Sequence, residues 1–150
     1  MKTPKKILIM GLPGSGKTTL ATELAKLIGA VHWNADAVRA NINKDLGFSM
    51  EDRIEQARRM GWLCDTVNAA GHVAIADFVC PTDEYRKVFD ADCVVWMDAI
   101  QEGRFEDTNK VFEVPAKEYA VSVSDAVGLT SEPLVTEKLL MVIASFPAKS

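Results

Sequence analysis

The chain has 150 residues, of which 48% are hydrophobic and 25% are charged, a composition typical of one globular domain. Its formal net charge is −4, so no global positive field would recruit long nucleic acid or an anionic membrane surface. The apolar runs are strand-sized, far below the roughly 20 residues that span a bilayer. The three cysteines form neither an even set nor a C-x-x-C motif, and we expect a reducing, cytoplasmic compartment.

Five short apolar runs predict β-strands, at 7–10, 31–33, 72–79, 93–97 and 119–123. Apolar residues at helical spacing predict helices at 18–28, 35–41, 49–71 and 81–88, and a last one that begins near Ser131. Ser49 begins the longest helix, because Asp52 lies three residues later in the capping-box pattern. No repeat or linker divides the chain, so we expect a single domain over residues 1–150.

A glycine-rich segment, 11–18, fits the pattern G-x-x-x-x-G-K-[ST] and lies between the first predicted strand and the first predicted helix. Its glycines allow backbone angles that turn successive N–H groups towards an anion at the helix N-terminus. Lys17 would reach the β- and γ-phosphates of a nucleoside triphosphate, and the Thr18 hydroxyl would join the Mg²⁺ shell. The residues of this loop expected to bind the nucleotide are Gly11, Pro13, Gly14, Ser15, Gly16, Lys17, Thr18 and Thr19.

The alternation of strands and helices around this loop predicts an α/β, three-layer fold of the P-loop NTPase type, with a mostly parallel five-stranded sheet. The loop specifies the nucleotide but does not choose among kinases, switches, motors and ATPases. A single short domain, with no room for large accessory modules, favours a small-molecule kinase.

Four segments in the same order resemble the adenylylsulfate (APS) kinase family, and together they run from about residue 7 to residue 89. They are 11–19, 34–39, 45–49 with 51–55, and 78–81. That family phosphorylates the 3′-hydroxyl of adenylylsulfate with MgATP. The resemblance therefore implies a kinase that converts APS to its 3′-phosphate (PAPS), with ATP and Mg²⁺ as cofactors, and it also implies a homodimer.

The resemblance assigns roles to individual residues as well. With Lys17 neutralising phosphate charge, it implies that Asp36 is the catalytic carboxylate. Arg39 and Arg53 would hold the charged groups of the acceptor, and Phe48 would stack on the acceptor's adenine. The remaining residues expected on the acceptor side are Gln56, Val79 and Cys80.

The residues by themselves leave alternatives open at these positions. Asp36 follows the second predicted strand, at the carboxyl edge of the sheet. Two functional roles are open there: it accepts the proton of a hydroxyl, or it orients Mg²⁺ through water. The structural alternatives are a cap on the next helix and a solvated acid. A buried loop phenylalanine explains Phe48 equally well. Arg53 and Gln56 fall on the helix face opposite Cys64, and a solvated polar face explains both.

Several positions depart from the family pattern. Asn34 stands in place of an acid, Gln56 in place of an asparagine and Cys80 in place of a serine. Asp77 ends the third predicted strand at a position where the family is usually uncharged. We expect Asp77 to help Thr18 hold Mg²⁺, with a cap on the following helix as the alternative.

The other candidate residues are interpreted as structural. His32 and His72 lie among apolar strand residues and are read as core or edge residues. Arg58 and Arg59 are assigned to solvent. The cysteines are expected to be small buried hydrophobic residues.

Residues 99–117 have weak periodicity and mixed charge, and they are predicted to form a lid. The lid of the family is longer and more basic, whereas its counterpart at 103–110 carries two acids and two bases, of which Arg104 is expected to contact ATP. The expected partners are ATP and a small nucleotide-like acceptor, without long nucleic acid or membrane. Two other hypotheses stay open: a kinase of another hydroxyl, such as a nucleoside or a nucleic-acid end, and a nucleotide-binding protein without turnover.

Overall fold

The computed structural model describes residues 4–12 and 14–97, and the backbone of 120–122. The strands of this part are β1 Lys6–Met10, β2 Val31–Asn34, β3 Ala74–Asp77, β4 Cys93–Trp96 and β5 Ala120–Ser122. Its helices are α1 Lys17–Ile28, α2 Ala35–Asn41, α3 Met50–Ala69 and α4 Asp83–Phe89. The final helix predicted near Ser131 and the lid predicted at 99–117, with Arg104, lie outside the described residues.

The five strands form one sheet in the order β2-β3-β1-β4-β5, and each of the four pairings is parallel. A parallel pair needs a crossover connection, which is why helices separate β1, β2, β3 and β4 along the chain. All carboxyl ends meet at one edge of the sheet, next to the glycine-rich loop that follows β1. The prediction of an α/β fold with a five-stranded, mostly parallel sheet is confirmed.

Alternating residues of the central strand β1 divide the core into two layers. Ile7 and Ile9 pack with Leu20 and Leu24 of α1 on one face of the sheet. On the other face, the core residues from β1 and the helices α2, α3 and α4 are Leu8, Met10, Val38, Ala57, Met60, Cys64, Tyr85 and Phe89. The sheet is therefore covered on both sides, as the continuous apolar run of β1 predicted.

Close packing of α3 against α4 depends on Gly61. A Cβ atom built at Gly61 would lie 2.9 Å from the carbonyl oxygen of Phe89, a distance that real Cβ contacts do not reach. The predicted N-terminus of α3 is confirmed, because the Ser49 side chain accepts a hydrogen bond from the Asp52 amide at 3.1 Å. The Asp52 carboxylate in turn accepts one from the Gly47 amide at 2.8 Å, which ties the preceding loop to the helix.

Two predicted boundaries are wrong. β3 covers Ala74–Asp77 rather than 72–79, because its neighbours β1 and β2 pair with these four residues only and the chain then turns through Cys80. α4 begins at Asp83 rather than at Pro81, because the Thr82 side chain accepts a hydrogen bond from the Tyr85 amide and caps the helix there.

The three cysteines are free and buried, as predicted. Burial raises the pKa of the Cys64 and Cys93 thiols to about 12, so both remain protonated near neutral pH. Within the described part of the chain, no helix is both long enough and apolar enough to cross a membrane.

Candidate functional site

The glycine-rich loop forms an open turn at the start of α1. Gly11, Gly14 and Gly16 all have positive φ, and a Cβ atom at Gly11 would lie 2.9 Å from the Met97 carbonyl oxygen. Gly16 occupies the N-cap position of α1 and has no side chain to cap it, so the first N–H groups of the helix are available to an anion. Pro13, also predicted to contact the nucleotide, lies outside the described residues.

The ammonium group of Lys17 lies over this loop. Its Nζ donates a hydrogen bond to the carbonyl oxygen of Leu12 at 3.1 Å. Burial lowers the pKa of Lys17, and the negative charges of Asp77 and Asp36 only partly oppose that shift. The charged form is therefore poorly solvated here, and phosphate oxygens in the loop would supply the missing compensation.

A polar cluster, named here the Asp77 cluster, lies where β2 and β3 end beside α1; its members are Asp77, Thr18, Asn34 and His32. Asn34 and Asp77 are register partners in the sheet, which brings their side chains together. The Thr18 hydroxyl donates to Oδ1 of Asp77 at 2.9 Å, and the Asn34 amide donates to the same oxygen at 3.0 Å. Nε2 of His32 contacts the other oxygen, Oδ2.

The Asp77 cluster rules out two of the alternatives left open by the sequence. Asp36 does not cap α2, because the Asn34 side chain fills that position and accepts a hydrogen bond from the Ala37 amide at 2.9 Å. Asp77 does not cap α4, because Thr82 does. Neither carboxylate is therefore used as a helix cap.

The chemistry of the cluster fits a Mg²⁺ ion carried by a nucleotide. Thr18 and Asp77 present a hydroxyl and a carboxylate, which are the hard oxygen ligands that Mg²⁺ prefers. Among the described residues, no group of three or more histidines, cysteines and acids could hold a metal ion alone. A cation here would depend on phosphate oxygens for most of its ligands.

One pocket of about 750 Å³ is lined by part of the glycine-rich loop and by all of the predicted acceptor residues. Lys17 and Thr18 line one end, and Asp36, exposed in the first turn of α2, lines it beside them. The other predicted residues that line the same pocket are Gly14, Gly16, Thr19, Arg39, Phe48, Arg53, Gln56, Asp77, Val79 and Cys80. The fold thus brings together residues from five separate stretches of sequence.

The pocket is also lined by an exposed aromatic ring. The Phe48 side chain is 72% exposed, so the alternative of a buried loop residue is wrong. The Arg39 guanidinium lies 4.5 Å from the centroid of the Phe48 ring and donates a hydrogen bond to the Gly47 carbonyl at 2.8 Å. Burial and then the neighbouring Arg53 lower the pKa of Arg39, so an anion near the two guanidinium groups would be stabilised.

Gln56 does not lie on a solvated face, so the alternative of a solvated polar residue is wrong. It is 3% exposed, because it lies one helical turn before Met60 and shares the buried stripe of α3. Its Oε1 accepts from the Asn43 amide at 2.7 Å, and its Nε2 donates to the Ala35 carbonyl at 3.3 Å. Although Gln56 borders the pocket, both ends of its amide are used inside the protein.

Arg59 was also assigned incorrectly to solvent. It donates to Asn43 Oδ1 at 3.1 Å, to Asp45 Oδ1 at 2.9 Å and to Glu55 Oε2 at 2.7 Å. The bonds to Asn43 and Asp45 join the loop between α2 and α3 to the α3 helix, and they hold in place the loop that carries Phe48. Apolar periodicity along a single helix does not predict hydrogen bonds between that helix and a loop, so the sequence pattern did not indicate these contacts of Arg59.

A strained turn closes the pocket after β3. Cys80 has φ of 45°, an unfavourable value for a residue with a side chain, and it is buried. Arg86, also buried, holds this turn by donating to the carbonyl oxygens of Cys80 at 3.1 Å and Pro81 at 3.2 Å. Tyr85 lines the same wall and was not predicted; nothing in its local sequence marks it.

His32 is the clearest omission from the sequence-based site. It lies two residues before Asn34 in β2, so both side chains share one face of the strand. Two polar residues spaced two apart in β2, next to the strand β3 that ends in Asp77, are the signal that could have identified His32 as a site residue. Its apolar neighbours Val31 and Trp33 instead indicated a core or edge residue.

Comparison with known proteins agrees with this geometry. The family model described as adenylylsulphate kinase matches residues 3–114. Adenylyl-sulfate kinase 3 of Arabidopsis thaliana is 41% identical over 90 residues, which is 57% of this chain and 42% of that protein. The chain also spans less than half the length of the adenylyl-sulfate kinases it matches from Staphylococcus haemolyticus and Pseudomonas entomophila.

Solved structures share the fold at lower identity. The Mycobacterium tuberculosis APS kinase CysC in complex with AMPPNP and APS has a TM-score of 0.71 and 17% identity, over 94% of this chain and 97% of that one. A gluconokinase from Sinorhizobium meliloti has a TM-score of 0.68 and 16% identity, over 96% and 94% of the two chains. At these identities the structures indicate a common fold only. The family match covers most of the sequence, however, and the chain belongs to the adenylylsulphate kinase family.

Proposed function

We propose that the chain is an ATP-dependent kinase that transfers the γ-phosphoryl group to the 3′-hydroxyl of adenylylsulfate. The observation that supports this most strongly is that one pocket contains a phosphate-binding loop, an exposed acid and a ring flanked by arginine. A switch or motor would need the nucleotide end of this pocket only. Membership of the adenylylsulphate kinase family supports the same acceptor.

At the donor end, the glycine-rich loop and Lys17 bind the polyphosphate. Backbone N–H groups at the start of α1 surround the phosphates, and Lys17 moves from the Leu12 carbonyl to the β- and γ-phosphates. Thr18 and Asp77 are the residues that would hold the nucleotide's Mg²⁺ ion, which supplies neutralisation of phosphate charge.

Asp36 acts on the acceptor hydroxyl. The hydroxyl oxygen forms a bond to the γ-phosphorus while the bond from that phosphorus to the β–γ bridging oxygen breaks, and ADP leaves. The hydroxyl proton passes to the Asp36 carboxylate and from there to solvent. Because the transition state is loose, alignment of the two substrates contributes most of the rate.

Arg39, Arg53 and Phe48 hold the acceptor. Adenylylsulfate carries an adenine and an anionic phosphosulfate group, which match an exposed ring and two guanidinium groups. Stacking on Phe48 would place the adenine against a face of the exposed phenyl ring. The Arg59 and Gln56 contacts keep the loop of Phe48 in position for this.

The proposal includes one kinase domain over residues 1–150 and assembly as a homodimer. Sedimentation equilibrium of the purified chain tests the assembly. A mass of one protomer at micromolar concentration would contradict the homodimer while leaving the proposed chemistry intact.

The decisive experiment incubates the purified protein with MgATP and a panel of hydroxyl acceptors, and follows ADP release in a coupled assay. The panel contains adenylylsulfate, nucleosides, a 5′-hydroxyl oligonucleotide and gluconate. PAPS, in which the 3′-position is already phosphorylated, is the matched control and should give no ADP.

Each result of this panel has a distinct meaning. Turnover with adenylylsulfate alone supports the proposal. Turnover with another hydroxyl, and none with adenylylsulfate, would show a kinase of different specificity. ATP binding without turnover on any acceptor would favour a non-catalytic nucleotide-binding protein.

A further inference from the structure

The proposed function leaves His32 without a role, although it contacts the most deeply buried acid of the site. The His32 side chain is 17% exposed and that of Asp77 is 2% exposed. Within the part of the chain that the structure describes, Asp77 lines the pocket and His32 does not. His32 therefore reaches the site through Asp77 and not through a direct contact with a substrate.

The two oxygens of the Asp77 carboxylate have different partners. Oδ1 accepts hydrogen bonds from the Thr18 hydroxyl at 2.9 Å and from the Asn34 amide at 3.0 Å. Oδ2 is engaged by Nε2 of His32. An ionised carboxylate only accepts hydrogen bonds, so Nε2 carries the proton in this contact. Rotation of the carboxylate would break bonds on both sides.

The geometry of Thr18 explains why this orientation matters. Its hydroxyl hydrogen points to Asp77, and one of its lone pairs accepts from the Asn34 amide at 3.1 Å. The other lone pair of this oxygen is left for a cation, and Oδ1 of Asp77 lies within hydrogen-bond distance of the same oxygen. A carboxylate that turned away from Thr18 would separate the two oxygens.

We propose that His32 is a positioning residue that fixes Asp77 for the Mg²⁺ of the bound nucleotide. By holding Oδ2, it keeps Oδ1 beside the Thr18 hydroxyl. The inference rests on the proposed function, because it requires a magnesium nucleotide at the glycine-rich loop. Hydrogen-bond partners that lie behind a metal ligand in this way fix its orientation.

The test measures the dissociation constant of AMPPNP by isothermal titration calorimetry, once with Mg²⁺ and once with EDTA. The ratio of the two constants is the Mg²⁺ coupling. His32→Phe keeps an aromatic ring but removes the donor, so we expect the coupling to fall by about tenfold or more, the usual loss for an outer-shell partner. His32→Gln keeps a donor near the end of the side chain and should retain most of the coupling.

His72→Phe is the matched control, because this exposed histidine precedes β3 at the end opposite to Asp77. It should leave the coupling unchanged. A His32→Phe variant with wild-type coupling would overturn the inference and leave the proposed function standing. A wild-type protein without Mg²⁺ coupling would overturn both.

A double-mutant cycle separates positioning from a general loss of stability. If His32 acts through Asp77, the combined variant His32→Phe with Asp77→Asn has the same coupling as Asp77→Asn alone. Fully additive losses would overturn the inference. Thermal unfolding without nucleotide verifies that each variant is folded. If His32→Phe does not fold, His32→Leu replaces it in the same double-mutant cycle.

Discussion

The buried amide of Gln56 allows a test between two roles, a structural one shown by its hydrogen bonds and the acceptor contact that the family resemblance implies. Gln56→Met keeps the length of the side chain but removes its bonds to Asn43 and Ala35. The Asn43 amide, in a side chain that is 1% exposed, then loses its acceptor. A buried donor left unsatisfied costs about 1–3 kcal/mol. For a chain of this size, a loss of about 2 kcal/mol lowers Tm by about 4–8 °C.

Thermal and urea unfolding followed by circular dichroism measure this loss. Arg58→Met is the matched control on the same helix, because its exposed pairing with Glu55 is worth little and should change stability by less than about 0.5 kcal/mol. Asn43→Leu combined with Gln56→Met replaces both partners by apolar groups, and part of the lost stability should return.

The kinetic readout distinguishes a structural role from an acceptor contact. If the amide serves the fold, Gln56→Met lowers Tm and leaves the KM for ATP unchanged. An unchanged Tm together with a raised KM for the acceptor would refute this reasoning, since the amide would then be directed at the acceptor, as the family resemblance implied.

The remaining predictions concern the substrates directly. Lys17→Ala should abolish turnover and weaken ATP binding more than acceptor binding in calorimetry, whereas Lys26→Ala, at an exposed lysine of the same helix, should have no effect. Asp36→Asn should lower kcat by about 10²–10⁴-fold, the range for a general base, with near-normal affinity for ATP. Phe48→Ala should raise the KM for adenylylsulfate by about tenfold through lost stacking and leave the KM for ATP unchanged, whereas Trp62→Ala, at another exposed ring, should change neither.

Each of these has a clear contrary result. An active Lys17→Ala variant would refute the phosphate-binding role of the loop. Normal turnover by Asp36→Asn would remove that residue from catalysis. Equal effects of Phe48→Ala on both substrates would point to a disturbed fold and not to a stacking site.

The features that the sequence predicted well depend on near neighbours in the chain. The buried β1 strand, the glycine-rich loop and the Ser49 cap each follow from a few adjacent residues with strong conformational preferences. Gly11 illustrates this, since its positive φ favours glycine whatever the rest of the chain does. The alternation of such local signals was enough to predict a parallel sheet and the edge where ligands bind.

The features that it missed depend on contacts between distant segments. Gln56 is buried because the loop at Asn43 folds back over α3, and Arg59 is held by the same loop. The start of α4 was misplaced for a local reason, because the cap formed by Thr82 outweighed the usual preference of proline for a first helical turn. None of these pairings leaves a periodic trace along a single element.

The sequence by itself therefore determined the fold class, the nucleotide loop and the family, because these depend on local motifs in a fixed order. Only the tertiary structure decided how the side chains pair around the site. The register of β2 and β3 sets Asn34 beside Asp77, and the face shared with Asn34 brings His32 to the same carboxylate. Such contacts arise from the pairing of strands, and Asn34 and Asp77 are more than 40 positions apart in the sequence. The neighbours of a residue along the chain do not specify its partners across the sheet.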